Sequence, residues 1–468
     1  MSRPRRVVFG WLIAMATLGA SRARAQTPAN TNPAKPTRCT LIPQPNTRLS
    51  TDTLPNGQQI AFVGGGALFK CPERGITLRG DSAEEYPDRE FLIGHVTYDE
   101  PRLHLTSDFL THYPADERIV AAGNVDATLP SGSTLKGPVA ELQRVFLPTR
   151  PRQKIIATQR PTITVVEKDS TGKPMEPMTV LANNVLMDGD SLIYAGGQVV
   201  ITRPNLSATG DSAAIDEGKE TMQLMRNPKI TGKKDRPFSL TGDLINLYSK
   251  DRKLNRVIAR AHAKAVSDSM TITSDTIDLR VKNDLLDHAY AWGATDRARV
   301  VSPSQNMQAD SLDIEMPGQR MQLVRALRKA FADSKPDTLK FRIEKPDTIN
   351  WLQGDTIVAH FDTAATKDTS KTPKIKTLVA TGKAKALYHL APSDTTLRLP
   401  AINYVIARQI TIAFDDSNKV STVTNVDSIS GVYIEPKADS TVKGKNAQKP
   451  APGKQVPKSI VPLPPIKP

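Results

Sequence analysis

Three stretches of the chain share one pattern: LTGDLINLYS (Leu240–Ser249), ITSDTIDLRV (Ile272–Val281) and MQADSLDIEM (Met307–Met316). Each contains a small residue, then an aspartate, and then apolar residues at every second position. Alternation with a period of two is typical of a β-strand with one buried face and one solvated face. Recurrence of the same strand indicates an array of similar units.

The pattern recurs about ten times, at spacings of 27 to 53 residues with many near 30. A second half follows each copy, rich in small and β-branched residues, after polar turns such as Ser249–Arg252, Lys282–Asp284 and Pro317–Gln319. Two strands per copy predict about twenty strands joined by hairpins, each copy burying one face on its neighbours. The anchor residues of the copies are Asp81, Asp108, Pro138, Asn183, Asp211, Asp243, Asp275, Asp310, Asp355 and Arg408.

The recurrent aspartate has a structural interpretation and a functional one. A short carboxylate after a small residue can accept backbone N–H groups where a chain turns a corner. The alternative is a row of Ca²⁺-binding carboxylates. The copies are widely spaced and lack the dense Gly-Asp pattern of calcium-binding repeats, so we expect the corner role and no metal site.

The first 25 residues predict a signal peptide. Three arginines precede the apolar run Val7–Ala20, and Ala23–Ala25 forms an A-x-A cleavage site. An uncleaved membrane anchor is the alternative, although the run is short for a span. Export to an oxidising compartment favours a disulfide between Cys39 and Cys71, with two buried thiols as the alternative.

The formal charge of +15 is concentrated at the termini. Residues 1–25 contribute +5 and residues 437–468 contribute +6, which leaves about +4 for the part between them. Nucleic-acid binding needs a basic face with interleaved aromatic residues, and the chain has neither. We therefore expect no nucleic-acid partner.

Insertions and composition divide the chain into predicted segments. After the signal peptide (1–25) come a disordered lead (26–50) and a first block of repeats (51–147). An insertion (148–177), a second block (178–332) and a third block with a Thr/Lys loop (333–436) follow. A disordered Lys/Pro-rich tail (437–468) ends the chain.

Strand parity predicts which side chains face the interior. Residues with the parity of the apolar face should form a strip that lines an inner groove, whereas residues of opposite parity, such as Asp278, should face water. Small residues such as Ala259 and Ala263 would leave room in the groove, or they could pack together as a closed core. The residues predicted to line the groove are Ile245, Leu247, Ile277, Leu279, Leu312, Ile314, Leu192 and Ile357.

The repeats resemble a known domain. The stretches ANNVLMDGDSLIYAGGQVVIT (182–202), LSATGDSAAID (206–216) and MQADSLDIE (307–315) are similar to the OstA-like domain. That domain occurs in LptA-type periplasmic proteins and in the N-terminal part of LptD-type outer-membrane proteins. The resemblance covers roughly residues 75–435, and the chain is much longer than a simple LptA-type bridge.

The resemblance implies an all-β fold, an elongated β-jelly roll with an apolar, V-shaped groove. It implies transport of lipopolysaccharide or a related lipid in the periplasm, alone or in association with the outer membrane. It further implies pairing of edge strands with other OstA-like domains. We expect the edges at about residues 58–70 and 420–434 to make these contacts.

Two other classes of function compete with lipid transport. One is a carbohydrate-binding or carbohydrate-active β-solenoid, which would need aromatic sugar platforms, and the chain has three tryptophans. The other is a purely structural surface protein. The sequence contains no nucleophile elbow, P-loop or zinc-type His spacing, so we predict a non-enzymatic protein without a cofactor. An apolar cavity in the interior would favour lipid transport over both alternatives.

Overall fold

The computed structural model describes residues 39–166, 172–173, 176–189, 191–204, 206–232, 238–267, 270–302, 305–336, 349–362, 373–390, 392, 397, 399–415 and 420–437. The predicted signal peptide, the tail beyond residue 437 and residues 363–372 of the Thr/Lys loop lie outside them. Within these ranges the chain is built of antiparallel strands with three short 3-10 helices, Pro72–Arg74, Pro114–Asp116 and Pro317–Gln319. None of the helices in this part is long and apolar enough to cross a bilayer.

The described part of the chain contains 31 strands. They are β1 (Thr40–Leu41), β2 (Arg48–Thr53), β3 (Gln59–Gly64), β4 (Ala67–Cys71), β5 (Ile76–Gly80), β6 (Ser82–Glu85), β7 (Glu90–Glu100), β8 (Leu103–Tyr113), β9 (Arg118–Thr128), β10 (Thr134–Gln143), β11 (Lys154–Thr158), β12 (Thr162–Val165), β13 (Met178–Leu181), β14 (Asn184–Asp188), β15 (Leu192–Thr202), β16 (Leu206–Asp216), β17 (Thr221–Met225), β18 (Lys229–Gly232), β19 (Phe238–Thr241), β20 (Leu244–Lys250), β21 (Lys253–Ser267), β22 (Met270–Lys282), β23 (Leu285–Trp292), β24 (Ala298–Val301), β25 (Gln305–Ala309), β26 (Ser311–Glu315), β27 (Leu323–Ser334), β28 (Asn350–Phe361), β29 (Ile375–Leu390), β30 (Ala401–Phe414) and β31 (Val420–Ile434).

Most long strands contribute to two parts of the sheet, one before and one after a corner in the strand. We call these two parts the first and second walls. One row of cross-strand partners runs along the interior of each wall, and neighbouring members of a row are paired residues. The first-wall row is Val63, Ala83, Leu92, Leu110, Ala121, Ala140, Ala157, Val185, Ala195, Ala213, Leu224, Ile245, Ala259, Ile277, Ala291, Leu312, Ala326, Ile357, Ala380 and Ile410. The second-wall row is Phe69, Leu78, Tyr98, Leu105, Ala127, Leu135, Ile163, Val180, Ile201, Ala208, Ile230, Leu240, Ala265, Ile272, Val300, Met307, Ala332, Leu352, Ala386 and Val405.

These rows explain why the predicted number of strands and the observed number differ. A crossing is one passage of the chain over both walls, and several crossings are split into two short strands where they change wall, as in β23 and β24. The rows have 20 members each, so about twenty crossings underlie the 31 described strands. The predicted all-β, elongated jelly roll is confirmed.

The chain changes wall at a β-bulge with a recurring shape. In the pairing of β21 with β22, Ala261 and His262 together oppose only Asp275, because the register resumes at Ala263 with Ser274. Both bulge residues are left-handed, at φ 56° and 51°. A two-against-one bulge bends the strand and strengthens its twist. Pairs of consecutive left-handed residues occur at Gly94–His95, Gly123–Asn124, Gln159–Arg160, Gly197–Gln198, Arg226–Asn227, Ala261–His262, Arg328–Lys329 and Gly382–Lys383.

Two anchor carboxylates contact the corner of the neighbouring strand, as expected, but through side chains and not through the predicted backbone N–H groups. Asp81 Oδ2 lies 2.7 Å from Nδ1 of His95, and Asp108 Oδ2 accepts a hydrogen bond of 2.8 Å from Nδ2 of Asn124. Each carboxylate therefore holds a left-handed residue of the strand beside it.

Two anchors show how far the corner chemistry can vary. The carboxylate of Asp275 accepts the backbone N–H groups of Thr295 and Asp296 at 2.9 and 3.0 Å, and these donors lower its pKa. At the last anchor the charges are exchanged, because Nε of Arg408 lies 2.9 Å from Oδ2 of the left-handed Asp427. The feature that the corners share is thus an ion pair or a hydrogen bond across the corner, and the anchor residue need not be an aspartate.

Two of the predicted turns are hairpin loops of the tightest kind. Lys250 pairs with Lys253, and the loop between them is Asp251-Arg252, at φ 52° and 64°. Lys282 pairs with Leu285 around a second two-residue loop with both φ angles positive. Two left-handed residues match the right-handed twist of the flanking strands.

The predicted disulfide between Cys39 and Cys71 is confirmed. Thr40 and Leu41 pair with Lys70 and Phe69, so the bond fastens the first described strand to β4. Part of the segment that we expected to be a disordered lead (26–50) is therefore ordered from residue 39 onward. The covalent bond supplies the order that local composition does not predict.

Two further expectations need correction. The segment predicted as an insertion (148–177) contains β11 and β12, which pair with β10 on the two walls and complete a crossing. The N-terminal edges are β2 on the first wall and β1 on the second, and not residues 58–70. The reason is that β3 pairs with β2 and β6, and β4 pairs with β1 and β5. This crossing was missed because Lys154–Val165 contains no aspartate after a small residue.

Substitution of a bulge glycine tests the corner. A Cβ at Gly123 would lie 2.4 Å from Oδ2 of Asp108, whereas a Cβ at Gly132, which also has a positive φ (87°), would have nothing within 4 Å. Both Gly→Ala changes carry a left-handed penalty of about 1–2 kcal/mol. Gly123→Ala must also displace the anchor, so we expect it to lower the free energy of unfolding further. Equal losses in denaturant titrations would show that the anchor contact is dispensable.

The disulfide makes a second prediction. In denatured, unreduced protein neither cysteine should be alkylated, and both should react after reduction. A Cys39→Ser/Cys71→Ser variant should lose about 4 kcal/mol in the chain-entropy model, given the separation of 32 residues. Hydrogen exchange should show the loss in β1–β4, with β29 and β30 as the unaffected control. Uniform loss along the chain would contradict a local fastening role.

Candidate functional site

The two walls enclose a cavity of about 570 Å³. On the first wall it is lined from β9, β10, β11, β14 and β15, and on the second wall from β8, β9, β10 and β12. At about 4.8 Å between neighbouring strands, five strands cover roughly 20 Å. The apolar residues of the lining are Leu103, Leu105, Ile119, Ala127, Leu129, Pro130, Leu135, Ala140, Leu142, Ile155, Ile163, Val165, Val166, Met187, Leu192 and Ile193.

The polar residues of the lining sit in or beside the turns at the ends of the two walls. Arg102 and Ser131 belong to turns of the second wall, and Gln153 and Arg252 to those of the first. The bulge corners, where a strand changes wall, lie at the other end of each strand segment from these turns. The cavity therefore has an apolar interior and a polar rim on the side where the strand turns are.

A run of alanines accompanies the cavity. From Leu224 onward the first-wall row mostly alternates a large residue with alanine, as in Ile245, Ala259 and Ile277. Ala121, Ala140 and Ala157 instead follow one another on β9, β10 and β11. Of these three, Ala140 lines the cavity, and its small side chain leaves volume between the walls that a large one would fill.

The predicted groove residues lie inside the protein but differ in their surroundings. Leu192 lines the cavity at its rim, half-buried, and its neighbour Ile193 faces inward. Leu247 lines a second cavity of about 40 Å³, which shares Glu217 and Arg252 with the first. The other six predicted residues are fully or almost fully buried on the first wall and do not line the 570 Å³ cavity. Four belong to the first-wall row, namely Ile245, Ile277, Leu312 and Ile357. Two lie two positions farther along β22 and β26, namely Leu279 and Ile314. Their role as a lipid track stays a prediction.

Asp278 does not face open water as expected. Its residue is 3% exposed, because Arg256 binds the carboxylate through Nε and Nη2 at 2.7 to 3.2 Å and Arg280 contacts it at 3.1 Å. Parity placed Asp278 correctly on the face opposite Ile277. The neighbouring arginines, both on that outer face, cover it.

An ion-pair cluster joins the two walls next to the cavity. Nη2 of Arg144, at the end of β10, lies 2.8 Å from Oε2 of Glu100, at the end of β7. Glu117 contacts both Arg144 and Arg74, and Tyr98 donates to Glu100 at 2.8 Å. Side chains of the first wall, Glu117 and Arg144, are thereby joined to side chains of the second.

The charged groups of this cluster are poorly solvated. Burial raises the pKa of Glu100 to about 7, although the positive charge of Arg102 acts in the opposite direction. Burial, and to a smaller extent the positive charge of Arg74, lowers the pKa of Arg144 to about 10. Removal of one partner leaves the other buried without compensation. The cluster therefore stabilises the contact between the two walls only while all of its members are present.

A buried pair on the first wall escaped the sequence analysis. His112 and Glu90 are 2% and 3% exposed, and Nδ1 of the histidine lies 2.8 Å from Oε2 of the glutamate. Both are inward-facing, and His112 pairs across the sheet with the cavity residue Ile119. The apolar row thus ends in a polar pair on this side. The 22 residues between the partners hid the pair from any local pattern.

The comparisons with known proteins give one structural likeness. No protein-family model matches the chain, and no curated protein matches it. Among solved structures, the chain is similar to LptH, the LptA homologous periplasmic component of the conserved lipopolysaccharide transport device from Pseudomonas aeruginosa. The identity is 19%, the match covers 27% of this chain and 94% of LptH, and the TM-score is 0.23. A TM-score of this size does not by itself identify a shared fold.

Loss of the central arginine tests the ion-pair cluster. Arg144→Met leaves Glu100 and Glu117 without their shared partner, and we expect a loss of about 3 kcal/mol in the free energy of unfolding. The matched control is Arg118→Met, because Arg118 meets Glu141 at 3.7 Å in a more exposed pair. That change should cost less than about 1 kcal/mol. Similar losses for both variants would contradict the buried character of the cluster.

Proposed function

We propose that the protein binds the acyl chains of lipopolysaccharide, or of a related lipid, between its two walls and carries them across the periplasm. The cavity of about 570 Å³ is the observation that carries the proposal. Its lining is mostly aliphatic, and its length of roughly 20 Å across five strands is of the order of an extended acyl chain. Its volume also lies within the usual range of ligand sites, about 300–1,000 Å³.

The shape of the cavity suits an amphipathic molecule. Acyl chains occupy the aliphatic interior, where contact is non-directional and needs no specific partner. A polar head group remains at the rim, beside Arg102, Gln153, Glu217 and Arg252. No covalent step is needed, so the proposal is a carrier and not an enzyme.

Movement of lipid along the array requires the walls to part. The cavity of about 40 Å³ adjoins the large one, and a cavity of about 30 Å³ lies farther on, between β25 and β31. Between them the residues of the inner rows are buried. A lipid that passes from one cavity to the next must separate the walls at their open side, as a V-shaped groove permits.

Proposed partners are OstA-like domains that extend the sheet. Among the described strands, β31 pairs with β30 alone, β2 with β3 alone and β1 with β4 alone. Unpaired N–H and C=O groups of an edge strand recruit other strands. The export signal and the resemblance of the repeats support a periplasmic location and this mode of assembly.

The carbohydrate-binding alternative receives less support from the cavity. None of the residues that line it is aromatic, so it offers no platform on which a sugar ring could stack. An aliphatic lining favours acyl chains over sugars.

Photo-crosslinking on adjacent isoleucines tests the proposal. Ile155 lines the cavity, and its neighbour Ile156 points to the other face of the same strand. A photo-reactive residue at position 155 should trap lipopolysaccharide or a co-purified lipid, and one at position 156 should not. Mass spectrometry of the adduct identifies the lipid. Equal trapping at both positions, or none at either, would overturn the proposal.

Two further variants separate local binding from transport along the chain. Ala140→Leu narrows the cavity from inside and should reduce trapping at position 155 while thermal stability is kept, because the empty volume accepts the added atoms. A photo-reactive residue at Ile277 should trap lipid only if the groove opens beyond the large cavity. Trapping at position 155 but never at 277 would indicate a carrier with one site instead of a continuous track.

A further inference from the structure

A rigid loop beside the cavity carries an exposed apolar tip. Val145, Phe146 and Leu147 are 50%, 43% and 73% exposed, and the exposed Pro148 follows. Single exposed apolar residues are normal on protein surfaces and need no explanation, whereas a contiguous group marks an interaction site. Four consecutive exposed apolar residues on one loop indicate a surface that binds another surface when the protein functions.

The loop is built to hold these side chains outward. Phe146 and Arg150 exchange backbone hydrogen bonds of 2.8 and 2.7 Å, and the Thr149 hydroxyl donates to the Phe146 carbonyl at 3.1 Å. The Arg150 guanidinium donates to the carbonyls of Asp116 and Glu117 in the neighbouring turn. With its base fixed in this way, the tip cannot fold back to bury its apolar side chains.

The charge of the loop selects the kind of surface. The segment from Arg144 to Lys154 contains four basic residues and no acidic one. Two of the four meet acidic groups elsewhere in the chain: Arg144 in the ion-pair cluster, and Arg152, whose side chain is 56% exposed, at 3.2 Å from Asp188. Basic side chains at the base of an apolar tip match the order of layers in an anionic bilayer, with head groups outside and acyl chains beneath. A protein partner would need roughly 800 Å² of matching surface, far more than one loop tip offers.

The loop also stands next to the cavity mouth. Gln153 and Ile155, which follow it directly in the chain, line the cavity, and Arg144 at its start belongs to the ion-pair cluster. We propose that Val145–Pro148 is a membrane-docking loop that inserts into an anionic lipid surface and sets the cavity mouth against it. The docking is argued from the loop itself and does not depend on which molecule fills the cavity.

Vesicle binding by the mature chain tests the docking. The protein should co-sediment with vesicles of phosphatidylcholine and phosphatidylglycerol, bind pure phosphatidylcholine more weakly, and lose affinity as salt is raised. Val145→Ser/Phe146→Ser/Leu147→Ser should weaken binding to the anionic vesicles by about tenfold or more. The matched control is Val432→Ser/Tyr433→Ser/Ile434→Ser on β31, where three side chains are 55%, 52% and 55% exposed. This control should bind as the parent chain does.

The outcomes separate docking from lipid carriage. Failure of the parent chain to bind anionic vesicles, or equal binding by the loop variant, overturns the docking loop. So does an equal loss in the β31 control, which would indicate general stickiness. Trapping of detergent-dispersed lipid at position 155 is measured separately. Trapping without vesicle binding leaves the carrier proposal intact, and vesicle binding without trapping leaves only the docking loop.

Discussion

The two-against-one bulge is the constraint on which the rest of the structure depends. On β22 the inward-facing residues are Ile272 and Ser274 before the anchor Asp275, and Ile277 and Leu279 after it, so the parity changes at the corner. The partner strand absorbs the change with two left-handed residues. One strand can therefore present an apolar face to the same interior from two walls while its ladder hydrogen bonds resume on both sides.

Packing between the walls follows from the inner rows. From Leu224 onward large residues mostly alternate with alanine in the first-wall row, and these residues are buried. Ala121, Ala140 and Ala157 come in succession instead, and Ala140 lines the 570 Å³ cavity. A small side chain at this position leaves volume that a larger one would fill. A tight core favours stability, and the empty stretch gives up some of that stability for binding capacity.

Polar groups determine where the groove is open. The ion-pair cluster of Arg74, Glu100, Glu117 and Arg144 joins the walls on one side of the cavity, and the exposed loop that begins after Arg144 stands beside it. A contact that moves this loop acts directly on Arg144. Ion pairs on the outer face have another arrangement. Asp278 and its two arginines lie on one wall and do not join it to the other.

The sequence by itself determined the β character of the chain, most of its crossings, the hairpin turns and the corner position of the anchors, because each follows from neighbouring residues. It also favoured the disulfide, because the chain has only two cysteines. The inward direction of Ile245, Ile277 and Leu312 was predictable for the same reason. Only the tertiary structure decided where the cavity opens and which charges meet, such as Glu90 with His112 across 22 residues and Glu100 with Arg144 across 44. Alternation tells which way a side chain points, but the space between two walls depends on side chains from strands far apart in the chain.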